Sequence, residues 1–364
     1  MPPYRAEVIG SLLRPATLLR ARAEQQAGRL SDLEFKAIED RAVNQCIAIQ
    51  EIAGVDVVTD GEMRRSVFAS QLAQSVEGFA TVQGNTVDWF TLEGKQETSP
   101  VTVGLVGKMK RKRHLSSEEF VYLRARTTRP TKITLPSPTM YAYYWLPGVS
   151  EAAYPSAGAY LADVCDILRD EVHELTRLGC EYVQFDAPEF GMILDPHQQE
   201  WFARKGFDPR RLVHDGIDMM NAIMQGYEDR VTFGLHVCRG NDATRYMARG
   251  SYAAIAEEIL RRTHAGVLLL EYDDERSGDF SPLELTAEDK TVVLGLVTTK
   301  RPLEETEDEL RARIREAARY LPLERLALST QCGFASVARG NSIPFELQDR
   351  KLNLVARVAR QVWG

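Results

Sequence analysis

Eight short runs rich in Val, Ile and Leu recur along this chain, at residues 7–11, 55–60, 132–136, 182–186, 231–238, 266–272, 292–298 and 326–332. Longer stretches with apolar residues at i, i+3 and i+4 separate most of them, at 18–52, 161–178, 209–227, 252–263 and 305–319, and a last one covers 345–363. Runs of the first kind read as strands and stretches of the second as amphipathic helices. Strand alternating with helix implies parallel pairing, because a parallel neighbour is reached only through a long crossover. Eight such units predict a (β/α)8 TIM barrel. The competing architecture, an open doubly wound sheet, requires a Gly-rich phosphate turn after an early strand. The turns at Gly10-Ser-Leu-Leu-Arg14 and Asp60-Gly-Glu-Met-Arg64 do not supply one.

Residues 82–125 break the rhythm. Val82-Gln-Gly-Asn-Thr-Val-Asp-Trp-Phe90 followed by Val101-Thr-Val-Gly-Leu-Val106 is a hairpin pattern, expected as an insertion between strands 2 and 3 of a single barrel spanning residues 1–364. The basic cluster Lys108-Met-Lys-Arg-Lys-Arg-His114 is expected at the exposed tip of a hairpin. A net charge of −7 speaks against nucleic acid or an anionic membrane surface as a general partner. No apolar run approaches the ~18 residues that span a bilayer. The N-terminus lacks a basic region leading into an apolar stretch. Five cysteines, an odd number, suit a reducing compartment where thiols bind metal or do redox work. The expected location is the cytoplasm, and a homo-oligomer is left open.

In such a barrel the reacting groups gather at the C-terminal ends of the strands. Those ends are polar here. They carry Ser11 with Arg14, Asp60-Gly-Glu62, Asp186, His236-Val-Cys238-Arg239, Glu271 with Asp273, Thr298-Thr-Lys300 and Gln331-Cys332-Gly333. Residues i and i+2 of a strand share a face, so His236 and Cys238 project side by side. Nitrogen with sulfur suits Zn²⁺. Taken singly, these residues read equally well as a satisfied core histidine and buried free thiols. A histidine, two cysteines and at least one carboxylate converging on one rim favour the metal. Cys46 and Cys165, in helical stretches, and Cys180, in a turn, do not share that position.

The donor set also bears on chemistry. Structural zinc sites are usually closed by four ligands on short Cys-x₂₋₄-Cys spacings, whereas these candidates are spread from His236 to Cys332. Two thiolates and a carboxylate leave Zn²⁺ in a net negative site, a poor Lewis acid for hydrolysis. Coordination does deprotonate a thiol whose free pKa is near ~8.5. That is the logic of activating a substrate thiol to attack an alkyl group.

His236-Val-Cys-Arg-Gly-Asn241, Glu271-Tyr-Asp-Asp-Glu-Arg-Ser-Gly-Asp279 and Gln331-Cys-Gly-Phe-Ala335 resemble the cobalamin-independent methionine synthase family, most closely its short, single-barrel members. Ile9-Gly-Ser11, Asp60-Gly-Glu62 and Gln184-Phe-Asp186 add to the likeness, which covers the barrel nearly end to end. The resemblance implies a methionine synthase/uroporphyrinogen decarboxylase-like barrel with zinc held by His236, Cys238, Glu271 and Cys332. It also implies that Ser11, Glu62 and Asp186 hold the amino-acid end of a thiol such as homocysteine. Glu62 and Asp186 would pair with its ammonium, Asp186 orienting it for catalysis, and Ser11 would donate to its carboxylate. Whether Glu271 or Asp273 meets the metal stays open. The expected reaction is methyl transfer to homocysteine, giving methionine, with the zinc-bound substrate thiolate as nucleophile. The expected donor is a methylfolate or a corrinoid, free or carried by a protein.

Three features depart from the long members of that family. They carry a second, N-terminal barrel. They present an Asp and a His where this chain has Thr298-Thr-Lys300, and a Glu where Ala187 follows Asp186. An ammonium is a much weaker acid than an imidazolium near neutral pH, which weighs against a donor whose leaving nitrogen needs a proton. The enzyme alternative is alkyl transfer to another thiol of the epoxyalkane:coenzyme M transferase kind, with Arg14, Arg64 or Arg65 meeting a sulfonate. A non-catalytic zinc or thiol-binding barrel is the alternative of a different class. The aromatic loop Tyr141-Ala-Tyr-Tyr-Trp145 is a candidate donor wall, or rim packing.

Overall fold

A computed structural model describes residues 4–364. At its centre seven parallel strands form one sheet, in the order β1 (Ala6–Glu7), β11 (Leu326–Thr330), β10 (Thr291–Val297), β9 (Val267–Glu271), β8 (Thr232–Val237), β7 (Tyr182–Asp186) and β6 (Ile133–Pro136). Residues 55–60, the second of the eight expected strands, join its two edges. Asp56 N–H donates to the Ala6 carbonyl at 2.7 Å, Val58 N–H to that of Pro130 at 2.9 Å, and Lys132 N–H to that of Val58 at 3.1 Å. The ladder there is short because the Asp56 carboxylate takes the N–H groups of Arg5 and Ala6, at 2.7 and 3.0 Å, in place of a backbone acceptor. The sheet thus curls into a TIM-like barrel. Its strands are apolar almost throughout, as expected where crossover helices cover the outer face.

The main crossover helices are α2 (Asp32–Ala53), α5 (Ala157–Arg177), α8 (Pro209–Met224), α9 (Glu307–Ala317) and α10 (Phe345–Trp363). Two expected stretches differ from their pattern. The 18–52 stretch is two helices, α1 (Ala16–Gln26) and α2, because Gly28 turns the chain at φ +71 and the Ser31–Glu34 capping box restarts it. The 252–263 stretch forms a 3₁₀ turn, Tyr252–Ile255, and a π turn, Glu257–Arg262. The i, i+3, i+4 spacing does not tell those windings from an α-helix.

The interruption between strands 2 and 3 holds two antiparallel pairs, β2 (Val76–Thr81) with β5 (Val103–Arg111), and β3 (Thr86–Phe90) with β4 (Gln96–Pro100). The hairpin sequence begins at Val76, six residues before its expected start at 82. The period-2 signal fails there because the ladder shifts register between Glu77 and Phe79, around Gly78 at φ +103. The basic cluster is also displaced from its expected tip. It lies on and just after β5, with Lys108 paired to Asp163 at 2.8 Å, Arg111 to Asp170 at 3.2 Å and His114 to Glu171 at 3.1 Å. The acidic face of α5 thus pairs three of its residues. Among the described residues no helix is long and apolar enough to cross a membrane.

Candidate active site

His236 is the penultimate residue of β8 and Cys238 follows directly on its last residue, Val237, which places both on the inner face of the rim. β11 ends two residues before Cys332 and delivers its thiol from the far side. One ligand atom from each of the three lies within 4.8 Å of the others, and all three residues are buried. The imidazole is oriented by its neighbour strand: Nδ1 meets the Leu269 carbonyl of β9 at 2.9 Å. That bond leaves Nε2 as the free lone pair, and Nε2 is buried without a hydrogen-bond partner. A histidine clamped through one nitrogen and open at the other, beside two thiols, could hold a metal ion. The charges fit as well. Cys332 is held well below the usual thiol range by the adjacent Cys238 thiol and by His236, against the effect of burial. Cys238 is pushed up by Cys332 and by its own burial.

Glu271, at the end of β9, stands outside that triad. Its Oε2 accepts from the Arg239 N–H and from Gln331 Nε2, both at 2.9 Å, and its Oε1 from Arg276 at 3.2 Å. Burial alone would raise this carboxyl. The charges of Lys300, Arg276 and Arg239 outweigh it and hold the group at about 2. Asp273 behaves oppositely: burial and the neighbouring Glu271 push it up to about 7.

The remaining predicted residues gather on the other wall. Asp186 lies directly beside His236 in the β7–β8 register. Its Oδ1 accepts from Gln184 Nε2 at 2.6 Å, and burial pushes its carboxyl up to about 7 although His236 pulls the other way. Glu62 has φ +55, a conformation unusual for a residue with a side chain and often found at functional positions. Its Oε1 accepts from Thr134 at 2.9 Å, while Oε2 is buried without a partner. The carboxylate lies so close over Gly10 that a Cβ there would meet Oε1 at 2.7 Å. Ser11 Oγ accepts the Ala335 N–H at 3.2 Å and packs against the loop after Cys332.

Ser11, Glu62, Asp186, His236, Cys238 and Cys332 all line one cavity of about 260 Å³. Glu271 does not. The opposite side of the cavity is apolar and comes largely from the insertion, through Val87, Trp89, Val101 and Val103, together with Tyr143 and Tyr144 of the aromatic loop. Those insertion residues were not singled out in the sequence. Val87 and Trp89 share a strand face, which is a signal. What places that face over the barrel is the pairing of Phe90 with Tyr246, at 2.7 Å from N–H to carbonyl, and a sequence does not show it.

Over residues 5–347 the chain matches the family described as "Cobalamin-independent synthase, Catalytic domain". It is 33% identical over 367 residues to the uncharacterized protein YxjH of Bacillus subtilis, covering 99% of this chain and 95% of that one. Against a methionine synthase of Pyrococcus abyssi it is 27% identical over 341 residues, covering 93% and 88%. The solved structure of a B12-independent methionine synthase from Shewanella sp. W3-18-1, in complex with selenomethionine, superposes with a TM-score of 0.75 at 20% identity, covering 99% of this chain and 97% of that one. That last likeness is one of fold.

Proposed function

The chain belongs to the cobalamin-independent synthase catalytic-domain family and is a methyltransferase; from that premise we propose that it methylates homocysteine to methionine at a zinc site held by His236, Cys238 and Cys332. The observation that carries this reading is the buried triad with His236 Nε2 left open. Glu271 is the carboxylate we assign to complete the set. Its Oε2 accepts from the Arg239 N–H and from Gln331, the residues next to Cys238 and Cys332, whereas Asp273 is held by Arg276. Zinc bound there supplies a Lewis acid that keeps a substrate sulfur as thiolate.

The protein groups do the rest. Asp186 and the unpartnered Oε2 of Glu62 accept from the homocysteine ammonium, and the Ser11 hydroxyl, whose oxygen is already an acceptor, donates to the carboxylate. Anchored at that end, the acceptor sulfur lies toward the thiols, and the apolar roof around Trp89 faces the methyl donor. Of the two donors under consideration, membership of a cobalamin-independent family favours the methylated tetrahydrofolate over the corrinoid. A sulfonate acceptor fits less well. No Lys or Arg lines the cavity. Arg14 is spent on the Ala335 and Glu62 carbonyls, Arg64 on Asp40 and Arg65 on Glu119.

The direct test is metal removal. Zinc-loaded protein given homocysteine and 5-methyltetrahydrofolate is expected to form methionine, to stop when a chelator strips the metal, and to recover on addition of zinc. Methionine formation that ignores zinc removal would refute the metal role. No methionine from homocysteine with either the folate or methylcobalamin would refute the reaction.

A further inference from the structure

Lys300, three residues past β10, is explained neither by the cavity nor by the hydrogen-bond network. It is 1% exposed, and its Nζ has no hydrogen-bond partner. An unpartnered ammonium in a protein interior costs several kcal/mol, so it persists where nearby anions offset that cost. β10 lies between β9, which ends in Glu271, and β11, which leads into Cys332, and Thr299, the residue before Lys300, donates from Oγ1 to Gln331 Oε1 at 2.9 Å. From that place the Lys300 charge acts on Cys238, Cys332, Glu271 and Asp273. Lys300 is absent from the cavity lining, so it influences them without facing the substrate space.

The other two cations near these groups are committed. Arg276 bridges Glu271, Asp273 and Asp274 at 3.2, 3.3 and 3.1 Å. Arg239 bonds the Gly250 carbonyl at 3.2 Å and stacks over the Tyr252 ring at 3.9 Å. Two thiolates and a carboxylate exceed the charge of Zn²⁺ by one, and a substrate thiolate adds another. We propose that Lys300 is the counter-charge of the loaded centre, a positioning residue whose buried ammonium offsets the negative charge that zinc's ligands and the incoming thiolate bring together. The inference rests on the reading of the triad as a zinc site.

Zinc affinity separates this role from a structural one, without homocysteine and without turnover. Wild type, K300M, K300Q and K300R would compete for zinc with a chromophoric chelator, and their metal-free thermal stabilities would be compared. Zinc affinity is expected to fall about 10- to 100-fold in K300M and K300Q, the usual effect of losing a group behind the ligands, and to be largely kept in K300R. Metal-free K300M is expected to lose less in stability than it loses in zinc affinity, since fewer of the thiols are ionised without the metal and less negative charge is left for the ammonium to offset. In the cobalt-substituted proteins the thiolate-to-metal charge-transfer band should move in K300M and return in K300R. Unchanged zinc affinity in both K300M and K300Q would overturn the proposal while leaving the zinc site standing. So would a stability loss in the metal-free variants that matches the affinity loss. Wild-type protein that binds no zinc would overturn the site and the proposal together.

Discussion

Cys332→Ala is expected to empty the metal site and abolish methyl transfer while leaving the barrel folded. Removing a group behind a metal ligand already costs about 10- to 100-fold in affinity. Removing one of the three ligands outright costs more. The packing loss is small by comparison. Besides its prospective co-ligands, the Cys332 sulfur contacts Ser336 Oγ at 3.8 Å, and losing one buried atom of this size costs about 1 kcal/mol. Elemental analysis should therefore find about one zinc per wild-type chain and close to none in the variant, with the circular dichroism spectrum unchanged. A Cys332→Ala protein that retains its zinc would return both thiols to the core.

Asp186→Asn is expected to spare the metal and weaken homocysteine. A hydrogen bond to a charged group contributes about 1.5–3 kcal/mol, so homocysteine affinity should fall roughly 10- to 150-fold with zinc content unaltered. The acceptor 4-mercaptobutyrate, which is homocysteine without its amino group, should bind both proteins alike. A role for Asp186 in holding the fold or the metal would weaken both thiols together. The sign of the pH dependence follows from burial, which pushes this carboxyl up to about 7. Below that pH wild-type Asp186 gains a proton and ceases to attract the ammonium. The affinity ratio of wild type to variant should shrink as pH falls through about 7, and a ratio that stays constant would count against the assignment.

The residues behind these predictions are legible in the amino-acid sequence itself. The strands are legible because helices cover them and make each run apolar throughout, and the rim residues are legible because strand ends follow from those runs. His236 and Cys238 share a face by strand geometry alone. What is not legible comes from contacts distant in sequence. Glu271 sits at its expected strand end, yet its carboxylate is turned by the Arg239 N–H and by Gln331, 32 and 60 residues away. The positive φ of Glu62 arises in the turn Asp60-Gly-Glu62, where the Asp60 carboxylate accepts the Glu62 N–H at 2.9 Å. The roof over the cavity depends on where a hairpin docks, and its face alternation says only which residues go together. The basic cluster reads as a free tip until α5 is seen to supply Asp163, Asp170 and Glu171.

The central claim is that this rim converts a substrate thiol to a bound thiolate, and proton release measures that directly. Zinc-loaded protein would be titrated with L-homocysteine near neutral pH in weak buffer with an indicator dye. The account predicts about one proton released per homocysteine bound, because a free thiol with a pKa near ~8.5 is protonated there and a coordinated one is not. Zinc-stripped protein should release no more than the fraction of a proton that Asp186, its carboxyl near about 7, gives up on meeting the ammonium. Homocysteine that binds the loaded protein without releasing a proton would contradict thiolate activation at this site.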